Sequence, residues 1–117
     1  MRRNLLIIAA IIALSPTPAQ AQEAVFAPGG NTVTLAVTGT TARVQIQSGP
    51  NSPNIRVYNA GTVAVFLACG DVTVTAALAT AMPVAPGSVE VIRCGQTYVA
   101  GISTAAATVY LTPGAGI

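Results

Sequence analysis

The sequence has no histidine, no lysine and no tryptophan, and its 117 residues include only three tyrosines and two phenylalanines. Without histidine, no side chain ordinarily titrates near neutrality. General bases, zinc sites and activated thiols all lose their commonest partner. The carboxylates are Glu23, Asp71 and Glu90, in unrelated parts of the chain. A glycosidase-type pair would have to be drawn from these three. Asp71 follows Cys69-Gly70 and reads as a turn acceptor. Glu90 reads as a strand residue that faces solvent or pairs with an arginine. The segments Asn59-Ala60-Gly61-Thr62 and Pro86-Gly87-Ser88 lack the spaced glycines, the lysine and the following helix of a phosphate cradle, and are expected to be hairpin turns. The reading is therefore of a non-enzyme, with no catalytic residue, no metal site and no cofactor. Past the first segment, Arg43, Arg56 and Arg93 balance the three acids. That leaves no basic patch for nucleic acid.

What is present begins with an export signal. Arg2 and Arg3 precede the unbroken apolar run of residues 5–14, which Ser15-Pro16-Thr17-Pro18 breaks before Ala19-Gln20-Ala21. This order predicts a signal peptide over residues 1–21 with cleavage after Ala21. The run is short for a bilayer span, and no cysteine follows it to carry a lipid. The protein is thus expected to be exported, periplasmic or extracellular, with no stable membrane anchor after cleavage. Residues 22–31 read as an extended lead-in and residues 32–117 as one domain. A near-neutral surface rich in Ala, Val and Thr resists self-association poorly. It suits a protein that assembles or sits against something.

Cys69 and Cys94 are the two cysteines. In an oxidising compartment such a pair reads as one disulfide joining neighbouring strands, contributing about 3.5 kcal/mol in the chain-entropy model. Buried free thiols are the alternative. A nucleophilic thiol lacks a base to activate it.

Short β-branched runs separated by Gly/Pro turns predict about seven or eight strands and no convincing helix. Residues 32–46 read as a hairpin with a type II′ turn at Gly39-Thr40, placing Val33, Leu35 and Val37 against Ile46, Val44 and Ala42. Residues 55–59 and 63–69 read as a second hairpin, with Gly61 at positive φ. The 63–69 strand is apolar on both faces, so it is central, or its second face meets another layer or another molecule. Residues 72–75 are expected as a strand and residues 76–82 as a marginal helix ended by Pro83. A strand over 88–94 carries a bulge near Ile92. A last hairpin, 98–102 with 106–111, sets Tyr98 opposite Tyr110, and Pro113-Gly114 stops it. The fold class is an all-β sandwich, immunoglobulin-like or jelly-roll-like, with an eight-stranded barrel as its competitor.

Tyr58, Tyr98 and Tyr110 are the candidates for a binding surface, with Arg56 on the strand face of Tyr58. An exposed tyrosine pair stacks on a sugar or anchors a partner protein; its plainer role is to stabilise a strand pair.

Three segments carry a resemblance. RVYNAGTVAVF, MPVAPGSVEV and TVYLTPGAG, succeeding one another between residues 54 and 116, are similar to a recurrent pattern in small phage and prophage virion-associated proteins. The resemblance implies a head-decoration or minor structural component that binds by shape. The leader and the cysteine pair depart from that pattern. The leading expectation is an exported structural module that assembles with itself or with a larger shell. The alternative is a secreted immunoglobulin-like module that binds a carbohydrate or a protein.

Overall fold

The computed structural model describes residues 25–47, 49 and 51–117. The expected leader, residues 1–21, and Glu23 lie outside these residues. Within them, runs of β-branched and small residues form nine strands and no helix. They are β1 (Ala27–Pro28), β2 (Val33–Val37), β3 (Ala42–Gln45), β4 (Asn54–Asn59), β5 (Val65–Gly70), β6 (Met82–Val84), β7 (Val89–Arg93), β8 (Tyr98–Ser103) and β9 (Ala107–Ala115).

The chain doubles back in the loop of residues 71–81, and strands on either side of that loop pair in nested antiparallel order. β5 pairs with β6, β4 with β7, β3 with β8 and β2 with β9. The doubled ribbon is then rolled, so that β9 also meets β4 and β8 also meets β5. One sheet is ordered β2-β9-β4-β7, with β1 in line with β2 along its edge, and the other β3-β8-β5-β6. This nested, rolled order is that of a jelly roll. Both sheets keep open edges, so the sandwich is not a closed barrel.

The strand alternation points one set of side chains inward from each sheet. Leu35, Val37, Ile55, Val57, Val109 and Leu111 come from the first; Val65, Leu67, Val84 and Val99 come from the second, joined by Ile46 just past β3. Each such side chain, fully buried, contributes roughly 1.5–3 kcal/mol. Gly101 sits where this packing is tightest. A Cβ there would lie 2.9 Å from Leu35 Cδ2 and 3.1 Å from Leu67 Cδ2.

None of the three expected hairpins forms. β2 and β3, β4 and β5, and β8 and β9 each lie in opposite sheets. The inward faces were assigned correctly, since Leu35 and Val37 are buried together with Ile46. They oppose one another across the core and not along a ladder. Accordingly, Gly39 and Gly61 are not at positive φ, which is seen at Gly87 and Gly116. At Gly61 a Cβ would lie 2.6 Å from the Ala107 Cβ, so close packing requires glycine there. Pro86-Gly87 does make a turn: Ser88 N donates to Ala85 O at 3.1 Å with Gly87 at φ 76°, the type II pattern. It crosses from one sheet to the other and closes no hairpin.

Further corrections follow from local bonding. The β4–β7 register runs unbroken from Asn54↔Arg93 to Tyr58↔Val89, so there is no bulge at Ile92. β9 continues through Pro113 and Gly114. Pro113 falls opposite the gap between β1 and β2, where its missing N–H is not needed, and its carbonyl accepts from Gly29 N at 2.8 Å. Residues 72–75 form no strand, because Asp71 gathers the backbone into a turn. Its carbonyl accepts from Val74 N at 3.0 Å, and its Oδ1 accepts from Thr73 N at 2.8 Å and Thr73 Oγ1 at 2.6 Å. Residues 76–82 make a single turn, with Thr80 N and Ala81 N donating to Ala77 O, before entering β6.

This loop also explains the doubly apolar strand. β5 is internal, between β8 and β6. Ala76 N donates to Thr41 Oγ1 at 2.9 Å, carrying the loop across the outer face of the second sheet. Beneath it, outward-facing Ala100 is fully buried, and Phe66, Ala68 and Ile102 are half-buried. Much of the second face of β5 is covered by the chain's own loop.

Cys69 and Cys94 form a disulfide, with Cα atoms 6.0 Å apart. Cys69 belongs to β5, and Cys94 directly follows β7. The expected disulfide forms, and the strands it joins, β5 and β7, belong to opposite sheets.

Candidate functional site

The outer face of the first sheet collects the side chains that the core rejects. Register sets them in rows. Tyr110 lies between Thr34 and Tyr58, and Tyr58 lies next to Val89. One row along, Thr112 lies beside Arg56, and Arg56 beside Val91. Asn54 and Arg93 pair in the row beyond. Tyr58 and Tyr110 stack with ring centroids 6.1 Å apart at 16° and remain 38% and 40% exposed. Such a cross-strand aromatic pair stabilises the sheet by about 0.5–1.5 kcal/mol.

Beside the rings an open groove of about 540 Å³ is lined by Val25, Phe26, Pro28, Gly30, Thr32, Arg56 and Thr112. Thr32 and Thr112 share a hydroxyl–hydroxyl bond of 2.7 Å at its edge. Gly114 is required here, because a Cβ would run into the Phe26 ring and the Ala27 carbonyl. Arg56 has Val91 and Thr112 as its cross-strand neighbours, neither of which can neutralise it.

Of the candidate surface residues, the structure gathers Arg56, Tyr58 and Tyr110. Tyr98 is elsewhere: it is half-buried in the second sheet, opposite Gln45 and Gly70. The expected Tyr98–Tyr110 pair is replaced by Tyr58–Tyr110, because β9 pairs with β4. The groove was not foreseen. Its far wall is the segment read as an extended lead-in, of which Ala27–Pro28 pairs with Gly114 and Ala115.

Asp71 and Glu90 are not brought together on this face. Asp71 lies beyond Cys69 in the covering loop, and Glu90 is exposed on edge strand β7. The two Thr73 bonds, side chain first, hold the Asp71 carboxyl below its usual value of 3.8. Among the described residues no group of three His, Cys, Asp or Glu side chains is placed to hold a metal ion, and no helix is long and apolar enough to cross a membrane.

The fold and this face define an all-β jelly roll with an exposed aromatic and cationic surface. No protein-family model and no curated protein matches the chain. Among solved structures, a chain from the endospore appendages of Bacillus, described as forming a novel family of disulfide-linked pili, aligns over 90% of this chain and 99% of its own. Its identity is 16% and its TM-score 0.44. The jelly-roll assignment rests on strand order alone.

Proposed function

We propose that this chain is an exported, non-catalytic structural module that works by contact, through the outer face of its first sheet. The observation that carries this is the Tyr58–Tyr110 stack beside Arg56 and the groove, an aromatic and arginine combination typical of protein-binding hot spots. Residues 1–21 serve as the leader, cleaved after Ala21, and the Cys69–Cys94 bond suits the oxidising compartment that the leader addresses. Assembly is with further copies of the chain or with a larger shell. In its finer form, that shell is the phage head implied by the resemblance, and the chain would then be found in purified virions. A jelly roll by itself does not choose among shell subunits, lectins and enzymes.

Sedimentation velocity of the exported chain is the test. Concentration-dependent oligomers at tens of micromolar, lost in Tyr110→Glu, are the expected result. A strict monomer with no protein partner overturns self-assembly. Binding to a glycan that Tyr110→Ala abolishes would move the role to carbohydrate recognition. The stack itself weighs against that outcome, since each ring turns one face toward the other.

A further inference from the structure

The two broad sides of the sandwich differ in shape and charge. The first sheet offers a concavity, with Val25, Phe26 and Pro28 along its walls and Arg56 within it. Arg93 lies outward on the same face, and among the described residues no Asp or Glu side chain does. The opposite side is formed by the 71–81 loop, which crosses the outside of the second sheet. This loop exposes Val72 by 53% and Leu78 by 45%, and it begins with an exposed acid, Asp71.

We propose that the 71–81 loop of one copy seats in the Arg56 groove of the next, so that copies add head to tail. This rests on the self-assembly reading above and supplies its interface. Two copies meeting through their first sheets would set Arg56 and Arg93 against their own counterparts with no Asp or Glu of the described residues between them, a repulsive arrangement. The loop brings to the same groove an acid and two apolar side chains. Both bonds from Thr73 fall on Asp71 Oδ1, which leaves Oδ2 to accept from a guanidinium. The two surfaces are different and lie on opposite sides of the molecule. The contact is therefore heterologous, and it propagates as a ring or a filament instead of closing as a two-fold dimer.

Two variants, each blocking one surface, test this on the exported, disulfide-closed chain. Tyr110→Glu at the margin of the groove and Leu78→Glu on the loop should each sediment as a monomer. Their equimolar mixture should form a one-to-one dimer, because one groove and one loop remain intact. Charge reversal gives an independent reading that spares the apolar contacts. Arg56→Glu and Asp71→Arg should each assemble weakly alone, and their mixture should recover wild-type oligomers. Thermal melts of all four variants establish that they fold. Two outcomes overturn the proposal while leaving self-assembly standing: a Leu78→Glu variant that still oligomerises like wild type, or mixtures no larger than their components. A wild-type chain that never oligomerises overturns both.

Discussion

A wholly buried amide at Asn59 holds three segments of the chain together. Its Nδ2 donates to Val63 O at 2.9 Å and Val84 O at 3.0 Å, and its Oδ1 accepts from Gly61 N at 2.9 Å. Its backbone N donates to Ser88 O, and its carbonyl accepts from Gly87 N. Asn59→Ala removes all three side-chain bonds, and removing buried partners costs about 1–3 kcal/mol per orphaned group before relaxation. The expected loss is about 2–4 kcal/mol in urea unfolding, and Asn59→Leu should not recover it. Sequence reading placed Asn59 at the end of a strand, where it lies, and at the start of a hairpin turn, which does not form. Its bond to Val84 joins positions far apart in the chain, and no local pattern announces it. Asp71 shows a second residue-scale effect with a definite sign. Its folded carboxyl titrates below the usual 3.8, so it adds stability above that value and loses it as the pH falls through the folded one. Acid titration of the wild-type chain against Asp71→Asn should differ below about pH 4 and run parallel above it.

At the scale of strands, alternation carried the inward and outward assignment through β2, β3 and β4, and it set Arg56 and Tyr58 on one face. Partner choice was not legible. Period two fixes which face of a strand meets the core, and a hairpin and a sheet-to-sheet corner satisfy it equally. Residues 33–37 and 42–45 could therefore be drawn as a hairpin with the correct faces and the wrong neighbours. The nested ribbon became visible only through β9, which reaches back to β2 and β4 and carries Tyr110 away from Tyr98. The same topology sets the value of the disulfide. Cys69 and Cys94 lie 25 positions apart, with the 71–81 loop and two strands between them, so bonding them ties the sheets at one end. Cys69 is exposed and Cys94 buried, so a reductant reaches the bond from the Cys69 side. Reduction, or the double change Cys69→Ala with Cys94→Ala, should lower unfolding free energy by about 3–4 kcal/mol while far-ultraviolet circular dichroism retains its β signature.

For the whole molecule, the consequence of its composition is insensitivity to pH where most proteins respond. Its sequence holds no histidine, the side chain whose charge ordinarily changes between pH 5 and 8. Asp71 is held on the acid side of its usual value. The contact between an Arg56 groove and an Asp71 loop therefore keeps both charges across the neutral range, and among the described residues no ionisable side chain is buried. Light scattering of the assembled chain should accordingly stay flat between about pH 6 and pH 8 and fall only in acid, together with the ionisation of Asp71. Added salt at neutral pH should weaken assembly modestly, because the ionic contribution is screened at the rim while the Tyr110 and Leu78 contacts are not. A steep pH dependence near neutrality would require a titrating group that the described residues of these surfaces do not contain.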